Sequence, residues 1–159
     1  MTFRDRLIAT IQAARPALED PGVLIVGSEV PNLLEPGAAA TLVVSQDLDI
    51  GVPVGCHAAV KRRLPELLLH FQPSPDEPSV WTPRSSGLLE VNFVGIDPKQ
   101  DPADAYVLED DQLPLLVFGA LSLVEPGAEI DIGGTRIRVR RAAVAALLRR
   151  LETGDEDLP

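Results

Sequence analysis

Two aspartates separated by one apolar residue, Asp47-Leu48-Asp49, are the residues best spaced for chemistry in this chain. They sit in a β-favouring run, 41–50, whose later half alternates Ser45, Asp47 and Asp49 against Val44, Leu48 and Ile50. Side chains along a strand repeat every second residue, so both carboxylates project from one face and Leu48 from the other. Like charges held that close repel unless a positive charge lies between them. A divalent cation that prefers hard oxygen ligands, Mg2+ or else Mn2+, removes the repulsion. The plain alternative is two solvated aspartates on the wet face of a strand. Asp is depleted in strands, and a pair more so, which favours the metal.

A second feature lies upstream. Val23-Leu24-Ile25-Val26-Gly27 is an uninterrupted apolar run after the turn Asp20-Pro21-Gly22, which predicts a strand buried on both faces. Ser28 then caps a short helix, with Pro31 in its first turn and Glu35-Pro36-Gly37 as its stop. Unpaired N–H groups at a helix start bind phosphate, and Gly27 lets the backbone approach an anion closely. Taken alone, Gly27-Ser28 is an ordinary helix cap. With the acid pair downstream it becomes a candidate phosphate site.

Strand, Gly-Ser, short helix, then a strand bearing Asp-apolar-Asp: in this order the chain resembles the nucleotidyltransferase superfamily. The wording Ser45-Gln46-Asp47-Leu48-Asp49-Ile50 is especially like the small bacterial branch that includes the AbiEii-type toxin nucleotidyltransferases. The resemblance spans roughly residues 20–95. It implies a Mg2+- or Mn2+-dependent transfer of a nucleoside monophosphate from a nucleoside triphosphate to an acceptor. Asp47 and Asp49 would hold the metal, and Gly27 and Ser28 the outer phosphates. The family takes a third carboxylate from a neighbouring strand. Here the matching segment is Leu88-Leu89-Glu90-Val91-Asn92-Phe93-Val94, and the closest match to that acid is Asn92. A neutral amide cannot act as a base, so Glu90, on the same strand face, is the candidate third catalytic and metal-binding carboxylate; Asp97 is a weaker one. The second reading is a nucleotidyltransferase-like module that binds nucleotide without transferring it. A third is a plain scaffold with a surface acid pair. A basic group beside the leaving pyrophosphate is also expected, from Lys61, Arg62 or Arg84, although charges on a helix are usually just solvated. The acceptor is open: a small molecule, a protein hydroxyl or an RNA end. The branch often carries further helices, so the resemblance implies either a minimal enzyme with a protein partner or part of a longer protein.

Other chemistry-bearing residues form no set. His57 and His70 are not spaced with Cys56 or an acid as a metal site or triad requires. Cys56 reads as a small, partly buried side chain, and Trp81 as core or a pocket wall. Arg136, Arg138 and Arg140, with Arg141, Arg149 and Arg150, make a basic stripe that either meets phosphate or, more simply, pairs with the many acids.

The elements that must position these residues follow from periodicity. Phe3, Leu7, Ile8, Ile11, Ala14 and Leu18 predict a helix over 3–18, capped by Thr2 with Asp5 as the reciprocal partner and kinked or ended at Arg15-Pro16. Val60, Leu64, Leu67, Leu68 and Phe71 predict a second helix over 57–71, bent at Pro65. The three prolines of 72–79 predict a loop. Val80-Trp81-Thr82 and Leu88–Val94 predict two strands. The acidic stretch 97–112 reads as loop, and 113–123 as strand or short helix. A hairpin follows over 128–140, turning at Gly133-Gly134, and then a helix over 141–152 and a polar tail, 153–159. The result is one α+β domain over residues 1–152, with a mixed central sheet flanked by helices.

Composition sets the outer bounds. The chain has 159 residues and a formal net charge of -10, which disfavours a DNA-binding role. A single cysteine excludes an intrachain disulfide and a multi-cysteine zinc site. No apolar run approaches the roughly 20 residues that span a bilayer, and the first residues lack a signal-type block, so a cytoplasmic protein off the membrane is expected.

Overall fold

The computed structural model describes residues 2–26, 47–77, 79–100, 104–119, 128–132 and 135–139. Helix α1 (Phe3–Ala13) begins at the expected cap. Thr2 Oγ1 accepts the Asp5 N–H, and the Asp5 carboxylate accepts the Thr2 N–H in return. The Thr2 N–H, and then the Thr2 hydroxyl, hold the Asp5 carboxyl below its ordinary range. Pro16 is accommodated in the first turn of a separate short helix, α2 (Arg15–Leu18), so of the expected kink or end it is the end that occurs. Strand β1 (Leu24–Val26) precedes β2 (Asp47–Pro53). The expected helix after Ser28, residues 41–46, the hairpin turn Gly133-Gly134, the last helix and the polar tail lie outside the described residues.

After β2 a short 3-10 turn (Val54–Cys56) leads into α3 (His57–Arg62) and α4 (Leu64–Leu67). Here the expected long helix is corrected. Pro65 starts α4 as it would start any helix, and the chain then leaves helix after Leu67. Phe71 belongs instead to an edge strand, β3 (Phe71–Pro73), within the stretch expected to be loop. An edge strand tolerates proline because one side of its backbone needs no partner. Strands β4 (Val80–Pro83) and β5 (Glu90–Asp97) form as expected. A further strand, β6 (Ala105–Leu108), occupies part of the acidic segment read as loop. It pairs with β7 (Leu115–Gly119), which resolves the strand-or-helix choice for that segment. The hairpin strands are β8 (Ala128–Ile132) and β9 (Thr135–Val139).

All nine strands among the described residues join one mixed sheet, ordered β3-β4-β5-β2-β1-β9-β8, with β7 beside β5 and β6 beside β7. The centre is the parallel pair β2–β5, flanked by antiparallel β1 and β4. The architecture is therefore α+β with a mixed, open central sheet.

Alternation divides the sheet into two faces. Leu48, Ile50, Val52, Val91, Phe93 and Trp81 point to one face and are fully or nearly fully buried. They form one cluster with Leu7, Ile11, Leu18, Val60, Leu64 and Leu67, so all four helices cover that face. Trp81 meets Phe93 edge-to-face, with centroids 6.1 Å apart. Buried Thr10 ties α1 to the sheet, since its hydroxyl donates to the Arg6 carbonyl and accepts the Leu89 N–H at 2.8 Å. The other face carries Asp47, Asp49, Glu90 and Asn92 at one end, and buried Leu24 and Ile96 at the other. Gly51 makes that second packing possible. A Cβ there would lie 2.8 Å from Ile96 Cδ1.

A carboxylate face on the central strands

The register of the parallel pair builds the candidate site. Asp47 sits opposite Glu90, and Asp49 opposite Asn92. Partners in adjacent strands are about 4.8 Å apart, and partner side chains share a face. Four oxygen-bearing side chains, spaced in two rows, therefore stand together on the face the described helices leave open. Asp47, Asp49 and Asn92 are half-buried and Glu90 is exposed. Asn92 donates through Nδ2 to Asp49 Oδ1 at 3.3 Å. Its own Oδ1 is buried and has no hydrogen-bond partner among the described residues. The amide thus restrains one aspartate and leaves a hard oxygen uncommitted.

The end of β1 meets this group. Val26 pairs with Asp49, and Gly27 and Ser28 follow directly in the chain. Both lie outside the described residues, so their phosphate-binding role rests on the sequence alone.

The structure does not bring every predicted residue here. Lys61 is on α3, whose Val60 packs into the helix-covered cluster, on the other side of the sheet. It is engaged by Asp110 at 2.8 Å and Asp111 at 3.5 Å. The Asp110 hydrogen bond raises the Lys61 pKa, while Lys61 and the N–H groups of Gln112 and Leu113 hold the Asp110 carboxyl far below its ordinary range. Arg84 is also committed elsewhere. It donates from Nε to the carbonyls of Leu68 and Phe71, and from a terminal nitrogen to Gln72 Oε1. These two cations stabilise local loops rather than the carboxylate face. Asp97 has the opposite parity to Glu90 and Asn92 on β5, and it accepts from Tyr106 Oη and the Lys99 N–H. The same bond pushes the Tyr106 phenol up.

Cys56 and the histidines behave as structural residues. The Cys56 thiol donates to Asp20 Oδ1 at 3.3 Å. Burial first, and then that acid, push its pKa up to about 11, which removes it as a nucleophile near neutral pH. His57 Nε2 donates to the Leu113 carbonyl at 2.9 Å. The register sets Arg136 opposite Asp131 and Arg138 opposite Glu129. Arg140, Arg141, Arg149 and Arg150 lie outside the described residues.

No family model, no curated protein and no solved structure matches this chain.

Whether the carboxylate face suits a divalent cation is a question of donor chemistry. Among the described residues, no three His, Cys, Asp or Glu side chains close into a ready-made metal cage. Mg2+ seldom needs one. It keeps several waters and is commonly held by one or two carboxylates together with substrate phosphates. Two aspartates, a mobile-length glutamate and an orphaned amide oxygen on one face are an all-oxygen donor set of that kind. Among the described residues, no helix is long and apolar enough to cross a membrane.

Proposed function

We propose that the chain is a Mg2+-dependent nucleotidyltransferase that moves a nucleoside monophosphate from a nucleoside triphosphate to an acceptor. The observation that supports this reading best is the register: Asp47 against Glu90 and Asp49 against Asn92, on one face, beside the strand end that leads into Gly27-Ser28. Asp47, Asp49 and Glu90 would hold the metal. When bound, the ion neutralises the triphosphate and makes the attacking hydroxyl more acidic. Asp47 and Asp49 sit on a central strand, so the site is preorganised and little motion is needed to align a substrate. Asn92 holds Asp49 in place through its amide hydrogen. Gly27 and Ser28 would receive the β- and γ-phosphates on backbone N–H groups. Glu90 is exposed and opposite Asp47, and it would accept a proton from the acceptor hydroxyl.

The amide at Asn92 favours a second reading, in which nucleotide binds and no transfer follows. Two measurements separate the two. Mg2+ with a cognate nucleoside triphosphate at about 100 times its Kd should add about 2.7 kcal/mol of stability. That corresponds to a rise in Tm of about 5–10 °C for a domain of this size. Asp47→Ala and Asp49→Ala should abolish the rise. Pyrophosphate release that depends on Glu90, in the presence of cell extract, supports transfer. Stabilisation without release supports the binding module, and absence of both defeats each reading.

A further inference from the structure

On the helix-covered side of the sheet, a cavity of about 530 Å3 opens between α3–α4, the β3–β4 edge and the 111–114 loop. Leu64, Pro65, Leu68, Pro73 and Pro114 supply its apolar walls, and Trp81 lines it from the sheet. Its volume falls within the range of about 300–1,000 Å3 typical of small-molecule sites. Three of the wall residues are prolines, whose fixed backbone angle resists collapse. The site is therefore preformed.

Lys61, Arg62, Ser74, Asp111 and Gln112 supply its polar lining. Trp81 is 2% exposed, and its Nε1–H is buried without an acceptor among the described residues. A buried donor of that kind is costly until an acceptor is supplied. At the rim, Lys61 is shared by Asp110 at 2.8 Å and Asp111 at 3.5 Å, one cation between two carboxylates, and the Asp111 side chain is largely in solvent. Arg62, also on the lining, makes no ion pair among the described residues.

We propose that this cavity binds a small amphipathic anion: a ring-sized apolar body against the leucines and prolines, and a carboxylate or sulfonate head on Arg62. The occupant is neither nucleotide nor acceptor for the carboxylate face, because the sheet lies between the two sites. It is a separate ligand.

Trp81 is the protein's single tryptophan, so it serves as the reporter. The probe is anilinonaphthalene sulfonate, read by energy transfer from Trp81 during titration of the whole chain. Saturable binding of one probe per chain is expected. Arg62→Ala should weaken it about tenfold, the loss of one charged contact. Leu68→Glu, at a part-exposed wall position, should abolish it. Phe118→Ser, in the separate exposed patch with Val107 and Leu116, should leave it unchanged. Absence of saturable binding, or binding that survives both Arg62→Ala and Leu68→Glu, overturns the proposal, as does loss on Phe118→Ser alone. Should Leu68→Glu fail to fold by circular dichroism, the exposed Arg62→Ala variant decides the matter alone.

Discussion

Leu48 and Asp49 are neighbours in the chain and live in different worlds. Leu48 is fully buried beneath the helices, among side chains from α1, α2, α3 and α4. Asp49 stands half-buried on the reverse of the same strand, restrained by an amide from β5. One face of the β2–β5 pair supplies the stability, and the other supplies the candidate chemistry. The lesson is that a strand can carry an unfavourable cluster of acids when the alternate residues anchor it. Charge repulsion on the open face is tolerated because packing on the closed face holds the register.

The largest test of that division is a pair of alanines. Leu48→Ala should cost about 2–5 kcal/mol in urea unfolding, from lost burial and the cavity left behind. Asp49→Ala should change stability by less than about 1 kcal/mol while removing Mg2+-dependent nucleotide stabilisation. If Asp49→Ala unfolds the protein, the acid is structural and the division fails. Next, Gly95→Ala should cost about 1–3 kcal/mol. A Cβ at Gly95 would lie 2.6 Å from Val117 Cγ2 and 3.2 Å from the Val117 Cα, which cannot move aside without shifting β7. Thr10→Val should cost about 1–2 kcal/mol, because it leaves the Leu89 N–H unpaired in the interior.

A smaller effect sharpens the other face. Asn92→Asp replaces a hydrogen bond with a fourth like charge on this face. In chelator the Tm should fall by a few degrees, equivalent to about 1 kcal/mol, and Mg2+ should restore it. A fall that Mg2+ does not reverse would argue against a cation there. The smallest effect is a pH dependence on the helix-covered side. The folded pKa of Asp110 is depressed by Lys61 and by two backbone N–H groups. Its contribution is present above the ordinary carboxylate value near pH 4 and is lost as pH falls through the folded value. Asp110→Asn should flatten the acid limb of the stability profile without touching nucleotide binding.

How much of this was readable beforehand follows from the range of each interaction. The Thr2–Asp5 box, the turn before β1, the alternation of β2 and the β8–β9 hairpin are local, and each was legible from neighbours within a few residues. Asp47 and Asp49 were placed on one face by period alone. The register that sets Glu90 and Asn92 opposite them was not, because it joins segments 43 residues apart. Lys61 and Arg84 were read as candidates beside the leaving pyrophosphate; their partners in the structure, Asp110 for one and two backbone carbonyls with the Gln72 side-chain oxygen for the other, are visible only in three dimensions. β3 and β6 were missed since proline and acidic residues mask edge strands, where pairing to one neighbour is enough. The cavity at Trp81 had one faint signal, prolines at 65, 73 and 114 with no turn role in common.

The parallel pairing of β2 with β5 has a kinetic corollary. Two parallel strands cannot zip from a shared hairpin, so the pair closes late, after distant parts of the chain have found each other. Once closed, it is enclosed by β1 and β4, and its amides should be among the slowest to exchange with deuterium. The two aspartates are thereby mounted on the strand that opens last, so a partly unfolded form of the chain would keep them side by side after its outer strands have come apart.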